Sequence, residues 1–408
     1  METFADILRD RFGNSAYGFR LESFKNFLRS RPRSYKESPT TKDYVSITDT
    51  ELEKLLEAGS GEAESSFAKT NEREPADVAI YDGKLKEDRE ISGILITDLN
   101  SVACSMNRGS AIFERYGKGR EEHLINAAWE NGYYLEIPDF HGNVTLNISN
   151  ILSGSRSLAT KSYIACGAGN TVNITDSYTS LRDNSNTFGR NIYIEVGQNS
   201  RVVFNYIQGK EDHSTDITFI RSYLSEGADF RIYHLNYGSS KVLFYNESEM
   251  MGDNSTFRTF GVNLSRNDQQ MDIMDSSFQT GKSTHANIQV KGAVTDSSIT
   301  MHRGNIDIEE KSIQSTGFYD SKLLLLSEKA YANSKPALVI KNNNTRSKHG
   351  SAISSVDQDE IFYLQSRGID RKNARTIITE GFLSSYLEQS GSDIMINKVH
   401  ELAKHIDL

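Results

Sequence analysis

The feature that most restricts the fold is a stretch of roughly 200 residues without a helical pattern, between Ile151 and Asp357. Short β-branched and aromatic runs recur along it, separated by turn groups: GAGNT at 167, GQNS at 197, EGAD at 226, YGSS at 237 and GDNS at 252. The hydrophobic fraction of 37% also fits short strands with polar turns better than long buried helices. The predicted core is therefore mainly β. Its clearest strands, including those that precede the stretch, are Val78–Tyr81, Ile94–Thr97, Tyr133–Ile137, Val144–Ile148, Ile192–Val196 and Arg201–Tyr206.

A degenerate repeat favours one β architecture over others. Asp-Ser-Ser at Asp275 returns at Asp296, and this spacing suits one coil of a parallel β-helix. At roughly 20 to 25 residues a coil, the chain would make roughly 11 coils and a rod near 50 Å, filled by stacked Val, Ile, Leu and Phe. A β-sandwich or a propeller remains open from the pattern alone.

Helical segments are predicted at both ends of the β core. We expect an N-terminal helical domain with a polar linker at residues 1–77, and a β-helix at 78–355 with a helical insertion near 121–130. Residues 356–408 are predicted to form a C-terminal helical domain.

Charge and cysteine content exclude several classes of protein. A net charge of −9 argues against a general nucleic-acid or anionic-membrane surface, which needs clustered Lys and Arg. No run approaches 18 apolar residues and the N-terminus lacks an apolar signal core, so we expect a soluble, cytoplasmic protein. Cys104 and Cys166 cannot form a four-thiolate cluster site, and Cys166 lies in an apolar run typical of a buried thiol.

A sequence that imitates a phosphate-binding loop, Thr280-Gly281-Lys282-Ser283-Thr284, is interpreted as a turn. The first glycine of GxxxxGK[ST] would stand at position 276, which is Ser276, and the residues after Thr284 have a strand pattern rather than a helical one. Nucleotide hydrolysis by this chain is not expected.

The stretch from Val339 to Leu383 is the most informative part of the sequence. A short β-branched run and an Asn-rich turn lead to a predicted polar tip, Arg346–Gly350, with His349 at the hinge before two helices. The helices can start at the caps Asp357 and Asp370, and the first can stop at Gly368. KNNNTRSKHGSAIS followed by DQDEIFYLQSRGI resembles the C-terminal signature of the SufB/SufD family, scaffold subunits of the SUF iron–sulfur cluster assembly machine. GILITDLN at Gly93 and LINAAWENGYYLEIP at Leu124 resemble it more weakly.

The resemblance implies a right-handed parallel β-helix flanked by helical domains, and a non-catalytic scaffold most like the SufD-type subunit. It also implies that His349 faces a SufB-like chain, where it could ligate iron in a shared interface site. The cysteines found in relatives at two nearby positions are replaced here by Tyr319 and Ser347, and Gly350 replaces a glutamate. The chain alone should therefore hold no stable cofactor, only a transient iron–sulfur cluster at the complex interface.

The same resemblance implies that an ABC-type ATPase, SufC, docks on the C-terminal helices. The candidate partner-binding residues are Phe362, Tyr363, Arg367, Gly368 and Phe382. The alternative within the family is a homodimer that serves as both SufB and SufD. The alternative outside it is a β-helix enzyme of the secreted type acting on polysaccharide, which needs clustered carboxylates or basic groups. If the aromatic residues of the C-terminal helices serve only in packing, we expect them to close the end of the rod or to pack on each other.

Overall fold

The structure, a computed structural model, describes residues 16–31, 45–56, 76–85, 89–91, 93–104, 117–181, 184–210, 213–385, 387 and 392–404. Residues 1–15, 32–44 and 57–75 of the predicted N-terminal domain and its linker lie outside this part, as do 386, 388–391 and 405–408 of the predicted C-terminal domain. The helices are α1 Tyr17–Arg29, α2 Asp49–Glu53, α3 Leu99–Cys104, α4 Arg120–Ala128, α5 Gln358–Ser366, α6 Arg371–Ser384 and α7 Asp393–Lys404. No helix in the described part of the chain is both long and apolar enough to cross a membrane.

Twenty strands make up the rest of the described fold. Those of the first part are β1 Val78–Tyr81, β2 Lys84–Leu85, β3 Arg89–Ile91, β4 Ile94–Asp98, β5 Tyr133–Ile137, β6 Asn143–Leu152, β7 Leu158–Cys166, β8 Thr171–Ser180, β9 Thr187–Val196 and β10 Arg201–Gly209. The others are β11 Thr215–Leu224, β12 Asp229–Asn236, β13 Lys241–Met250, β14 Thr256–Ser265, β15 Gln270–Gln279, β16 His285–Val294, β17 Ile299–Ile308, β18 Ser315–Leu325, β19 Tyr331–Ile340 and β20 Thr345–Ser355.

The strands confirm the predicted parallel β-helix. Even-numbered strands from β6 to β20 pair in parallel in one sheet, and odd-numbered strands from β5 to β19 pair in parallel in the other. The chain alternates between the two sheets, so each coil contributes one strand to each sheet. Neighbouring strands of a sheet lie about 4.8 Å apart, so eight coils make a rod of about 40 Å.

The predicted coil length was wrong. Asp229 pairs with Thr256 of the next coil and His285 pairs with Thr316, so a full coil is longer than the interval from Asp275 to Asp296. There are therefore eight coils rather than 11. Asp275 pairs with Asn246 within a strand, whereas Asp296 stands in a turn and accepts a hydrogen bond from the Asn267 amide, so the Asp-Ser-Ser repeat does not mark a coil.

The coil length was underestimated because the strands are longer than predicted. Most strands are nine to eleven residues long, about twice the predicted length, because polar residues continue them inside the protein. An apolar cluster fills much of the lumen between the sheets, as predicted. Charged and polar side chains are buried within the strands as well, which the prediction of an apolar filling missed; they include Asp176, Arg190, Asp216, His234, Asp275 and His302.

Helices cover the outer faces of both sheets. One apolar cluster joins α1, α2 and α4 to β7, β9 and β11. A second joins the C-terminal helices to the flank of the other sheet, where Arg375 of α6 donates to the carbonyl of Leu326 and Lys291 of β16 donates to that of Phe382 at 2.7 Å. The C-terminal helices therefore pack along the flank. They do not close the end of the rod, so that prediction for packing alone was wrong.

Local sequence explains where these helices begin. Thr48 and Glu51 form a reciprocal capping box at α2. Asp357 accepts from the Asp359 amide at 2.8 Å and Asp370 from the Asn373 amide at 3.0 Å, as the caps predicted. Gly368 has a φ of +87°, the left-handed conformation that lets the chain turn from α5 into α6.

Gly304 shows how glycine makes room inside the lumen. A Cβ at this position would lie 2.0 Å from Cε2 of Tyr319. We expect Gly304→Ala to lower the free energy of unfolding by about 1 to 3 kcal/mol, because the buried Tyr319 ring must shift to admit the methyl group. Gly381→Ala is the control: Gly381 is exposed in α6 with no atom near the added carbon, so alanine should stabilise the helix by about 0.5 to 1 kcal/mol. Urea denaturation measures both, and equal effects would contradict this reading.

Candidate functional site

The two ends of the β-helix differ. At the N-terminal end the sheets finish in the antiparallel strands β2 and β3, only two and three residues long, and α3 packs against β4 and β5. At the C-terminal end, the last coil consists of β19 and β20, each of which is the outermost strand of its sheet. No described element pairs with their outer edges. Large apolar side chains are exposed on this coil: Tyr331, Val339, Ile340 and Ile353. We call the β19–β20 coil the open end.

His349 lies in the middle of β20, at the open end. The predicted polar tip at Arg346–Gly350 was wrong, because these residues continue the ladder of β18 in register. Their β-branched and small neighbours, Thr345, Ala352 and Ile353, suit a strand better than a hinge. His349 is exposed because no further coil covers it.

The strand register places the cationic neighbours of His349 on the opposite face. Side chains alternate along a strand, and paired residues of parallel strands point to the same face. His349 pairs with Tyr319, which is buried toward the lumen, whereas Lys348 pairs with Phe318 and its Nζ lies 5.4 Å from that ring. Arg346 and Lys348 of the predicted tip therefore do not flank the imidazole within this chain.

Tyr319, the residue that replaces a family cysteine, lies directly beneath His349. Its side chain is 2% exposed, and burial raises the pKa of its phenol. Its Oη has no well-formed hydrogen bond, although the hydroxyls of Ser321 and Ser334 lie close to it. The structure thus brings together two positions that are far apart in sequence, with a buried polar group under an exposed imidazole.

A hydrogen-bonded chain supports this end from inside the lumen. Ser321 Oγ lies 3.0 Å from His302 Nδ1, and His302 Nε2 lies 3.1 Å from Asn263 Nδ2. Asn236 links Asn263 to His234 Nδ1, and His234 Nε2 lies 3.2 Å from Asp275 Oδ2. Burial lowers the pKa of His302 to about 3, so its ring is neutral and donates from Nδ1. Sequence reasoning missed this chain because its members come from four different coils.

The described residues contain no group of three His, Cys, Asp or Glu side chains that could hold a metal ion. Within this chain His349 offers one imidazole at the open end. Cys166 is buried at the end of β7, and burial raises the pKa of its thiol to about 11, so it is protonated and unreactive. Cys104 ends α3, and its side chain lies outside what the structure describes.

Helix α5, which follows β20, carries a second exposed surface. Phe362 and Tyr363 are both exposed, and the Arg367 guanidinium lies 5.3 Å from the Tyr363 ring. Gly368 ends this surface. Phe382 does not belong to it, because it packs against the second apolar cluster, with Lys291 Nζ 4.9 Å from its ring. Four of the five candidate partner-binding residues thus lie together, and we call Phe362, Tyr363 and Arg367 the α5 patch.

The phosphate-loop look-alike has no site geometry. Thr280–Thr284 forms the turn between β15 and β16, and a strand follows it, as predicted. The described residues form a two-sheet parallel β-helix with short antiparallel strands at one end, a histidine at the open end and helices along its flank, which places the chain in the class of parallel β-helix proteins.

Residues 149–382 match the family model for the SUF system FeS cluster assembly, SufBD core domain, and the chain belongs to this family. It is similar to a SufBD family iron–sulfur cluster assembly protein of Pyrococcus horikoshii, with 28% identity over 52% of this chain and 46% of the relative. A SufBD family protein of Synechocystis is 27% identical over 37% of this chain and 32% of the relative. The iron–sulfur cluster assembly protein SufD of Bacillus subtilis is 27% identical over 35% and 33%. The matched stretches thus span less than half the length of these relatives.

Proposed function

We propose that this chain is a non-catalytic, SufD-type scaffold for iron–sulfur cluster assembly. The observation that carries the proposal is the open end: a family core domain finishes in a coil whose outer edge pairs with no described element and which has exposed apolar side chains and one exposed histidine. The similarity to a protein named SufD supports the subunit type. Iron and sulfide are the cargo in this proposal, and the protein supplies shape, contact surfaces and one ligand.

The open end is proposed to meet a second scaffold chain. Unpaired parallel strands accept another strand through main-chain hydrogen bonds, and the exposed apolar residues beside them lose water on contact. The partner would be a SufB-like chain, with a second copy of this chain as the alternative. His349 would then lie in the contact and share iron with ligands from the partner, since the described part of this chain provides no complete site.

Affinity purification of the chain from its own cells, with mass spectrometry of the recovered proteins, tests this proposal. An ABC-type ATPase together with a cysteine-bearing SufB-like chain is the expected result. Recovery of this chain with an ATPase but no other scaffold chain would indicate the homodimer. Recovery of the chain alone under gentle conditions would overturn the scaffold role, and cleavage of polyuronides would revive the enzyme alternative.

The α5 patch is proposed as the docking surface for the SufC-type ATPase. Phe362 is 71% exposed on α5, and aromatic residues with an adjacent arginine are typical anchors of protein contacts. We expect the double variant Phe362→Ala, Tyr363→Ala to lose most ATPase recovery in the purification without loss of stability. Ile377→Ala is the matched control, because Ile377 is 48% exposed on α6, outside the patch. Equal recovery with both variants would contradict the assignment.

His349→Ala is expected to reduce the cluster yield of the assembled complex while leaving partner recovery intact. An alanine removes the only exposed imidazole of β20 but no main-chain contact. His285→Ala serves as control, because His285 is also exposed on a strand of the same sheet, two coils away. Iron and sulfide content after anaerobic assembly gives the readout. A cluster yield of His349→Ala equal to that of the control would remove His349 from the site.

A further inference from the structure

A buried carboxylate in the lumen binds two tyrosines. Asp176 of β8 is fully buried, and its Oδ2 accepts from Tyr133 Oη at 2.9 Å and from Tyr178 Oη at 3.2 Å. Asn150 Nδ2 donates to Oδ1 at 2.5 Å. The neighbouring cations, Arg190 and Lys210, both pair with a second carboxylate, Asp216. Asp176 is therefore held mainly by phenols, an arrangement that the scaffold role does not use.

A third buried tyrosine nearby has a different partner. The Tyr206 ring lies 5.7 Å from the Tyr178 ring, but its hydroxyl faces the Arg190 guanidinium and Thr218 Oγ1 instead of a carboxylate. The Arg190 guanidinium also stacks on Tyr178 at 3.3 Å. The lumen thus holds two tyrosines that are hydrogen-bonded to a carboxylate and, beside Tyr178, a third tyrosine that is not.

Removal of an electron turns a phenol, whose pKa is about 10, into a strong acid. A base already hydrogen-bonded to the phenol can take the proton as the electron leaves, which makes the oxidation easier. Burial raises the pKa of Asp176 to about 6, so this carboxylate is a better proton acceptor than an exposed one. Leu152, Leu158 and Phe188 line the small cavity beside Tyr133 and Tyr178 and shield the rings from solvent.

We propose that Tyr133 and Tyr178, with Asp176 as their proton acceptor, form a redox-active site that gives one electron to high-potential metal complexes. The electron leaves the phenol ring for the oxidant, and the phenolic proton moves along the existing hydrogen bond to Asp176 Oδ2. The products are a neutral tyrosyl radical, a protonated carboxyl group and the reduced oxidant. Return of one electron reverses both transfers. The oxidant need not enter the lumen, because electron transfer does not require contact between the phenol ring and the oxidant.

Photo-oxidation of the full chain tests this site. A flash-generated ruthenium(III) polypyridyl complex is the oxidant, a cobalt(III) ammine is the sacrificial quencher, and the radical is trapped by freezing and measured by electron paramagnetic resonance. The reference chain carries Tyr331→Phe and Tyr363→Phe, which remove two exposed tyrosines. We expect a tyrosyl signal in this reference. Asp176→Asn should lose most of it, because the amide oxygen of asparagine can still accept from the two phenols but does not take up the proton.

Tyr206→Phe is the matched control and should keep the signal, because that phenol has no carboxylate partner. An equal radical yield in folded Asp176→Asn and in the reference would overturn the proposal. If Asp176→Asn does not fold, the double variant Tyr133→Phe, Tyr178→Phe decides, since it removes only two oxygen atoms. Loss of the signal in that variant supports the site, and an unchanged signal rejects it.

Discussion

Replacing Asp216 with asparagine is expected to lower the free energy of unfolding by about 3 to 5 kcal/mol, the range for breaking a buried ion pair. Asp216 is fully buried and accepts from Arg190 Nη2 at 3.1 Å and from Lys210 Nζ. The two cations hold the pKa of this carboxyl below its usual range, although burial opposes them. Without the carboxylate, both cations would be buried in the lumen without an anionic partner in contact. Urea denaturation at neutral pH measures the loss.

Lys210→Met separates the ion pair from simple packing. It removes one buried cation and leaves Asp216 paired with Arg190, so it should cost far less than Asp216→Asn. Added to Asp216→Asn, it should restore part of the lost stability, because only one uncompensated charge remains. A double variant no more stable than Asp216→Asn would show that the charges do not account for the loss.

The same lysine should make stability depend on pH. Burial lowers the pKa of Lys210 to about 7, against 10.5 for the ordinary side chain. Between these values the unfolded chain binds more protons than the folded one, so stability should rise with pH, by up to about 1.4 kcal/mol per pH unit. Below pH 7 the lysine is protonated in both states and contributes no slope. The difference between wild type and Lys210→Met, measured from pH 6 to 10, isolates this rise, and a flat difference would contradict the lowered pKa.

Ile353→Lys is expected to abolish pairing of the scaffold chains while leaving the monomer folded. Ile353 is 44% exposed on β20, and a lysine on an edge strand blocks addition of another strand. The mutation should leave the monomer stable because the side chain has no covering coil. Sedimentation velocity of the purified chain, or of the complex recovered from cells, measures the association.

Met251→Lys is the matched control for that variant. Met251 is 49% exposed but stands in a turn away from the open end, so a lysine there should leave the association unchanged. If Ile353→Lys associates as well as the control, the open end is not the contact surface and the proposed position of His349 at an interface fails with it.

The β-helix could be predicted because turn chemistry is local. Asn, Gly, Ser and Asp recur in the turns between strands, and residues such as Asn199 and Asn254 adopt the left-handed conformation that these turns require. The coil length could not be predicted, because it depends on which residues of successive coils pair. Lys161 and Arg190 within β7 and β9 look like strand ends in sequence, but helices and the second sheet bury them.

The candidate site could be predicted only where it depends on residues close together in sequence. The caps Asp357 and Asp370 act within a few residues and were found, and Phe362 and Tyr363 lie on the predicted helix. The contact of Tyr319 with the His349 position needs the register of β18 and β20. That Phe382 lies apart from Phe362 could not be predicted, because only the packing of α6 on the flank decides which side of that helix is covered.

The unequal ends of the rod limit how many copies can join along its axis. A strand-pairing surface at both ends would let molecules add head to tail without closure, the geometry of a fibre. Here the short antiparallel strands β2 and β3 blunt one end. A contact between the open coils of two molecules would therefore leave no long strand edge free among the described residues of either molecule. The unequal ends of the described rod therefore favour a closed pair of chains over a fibre.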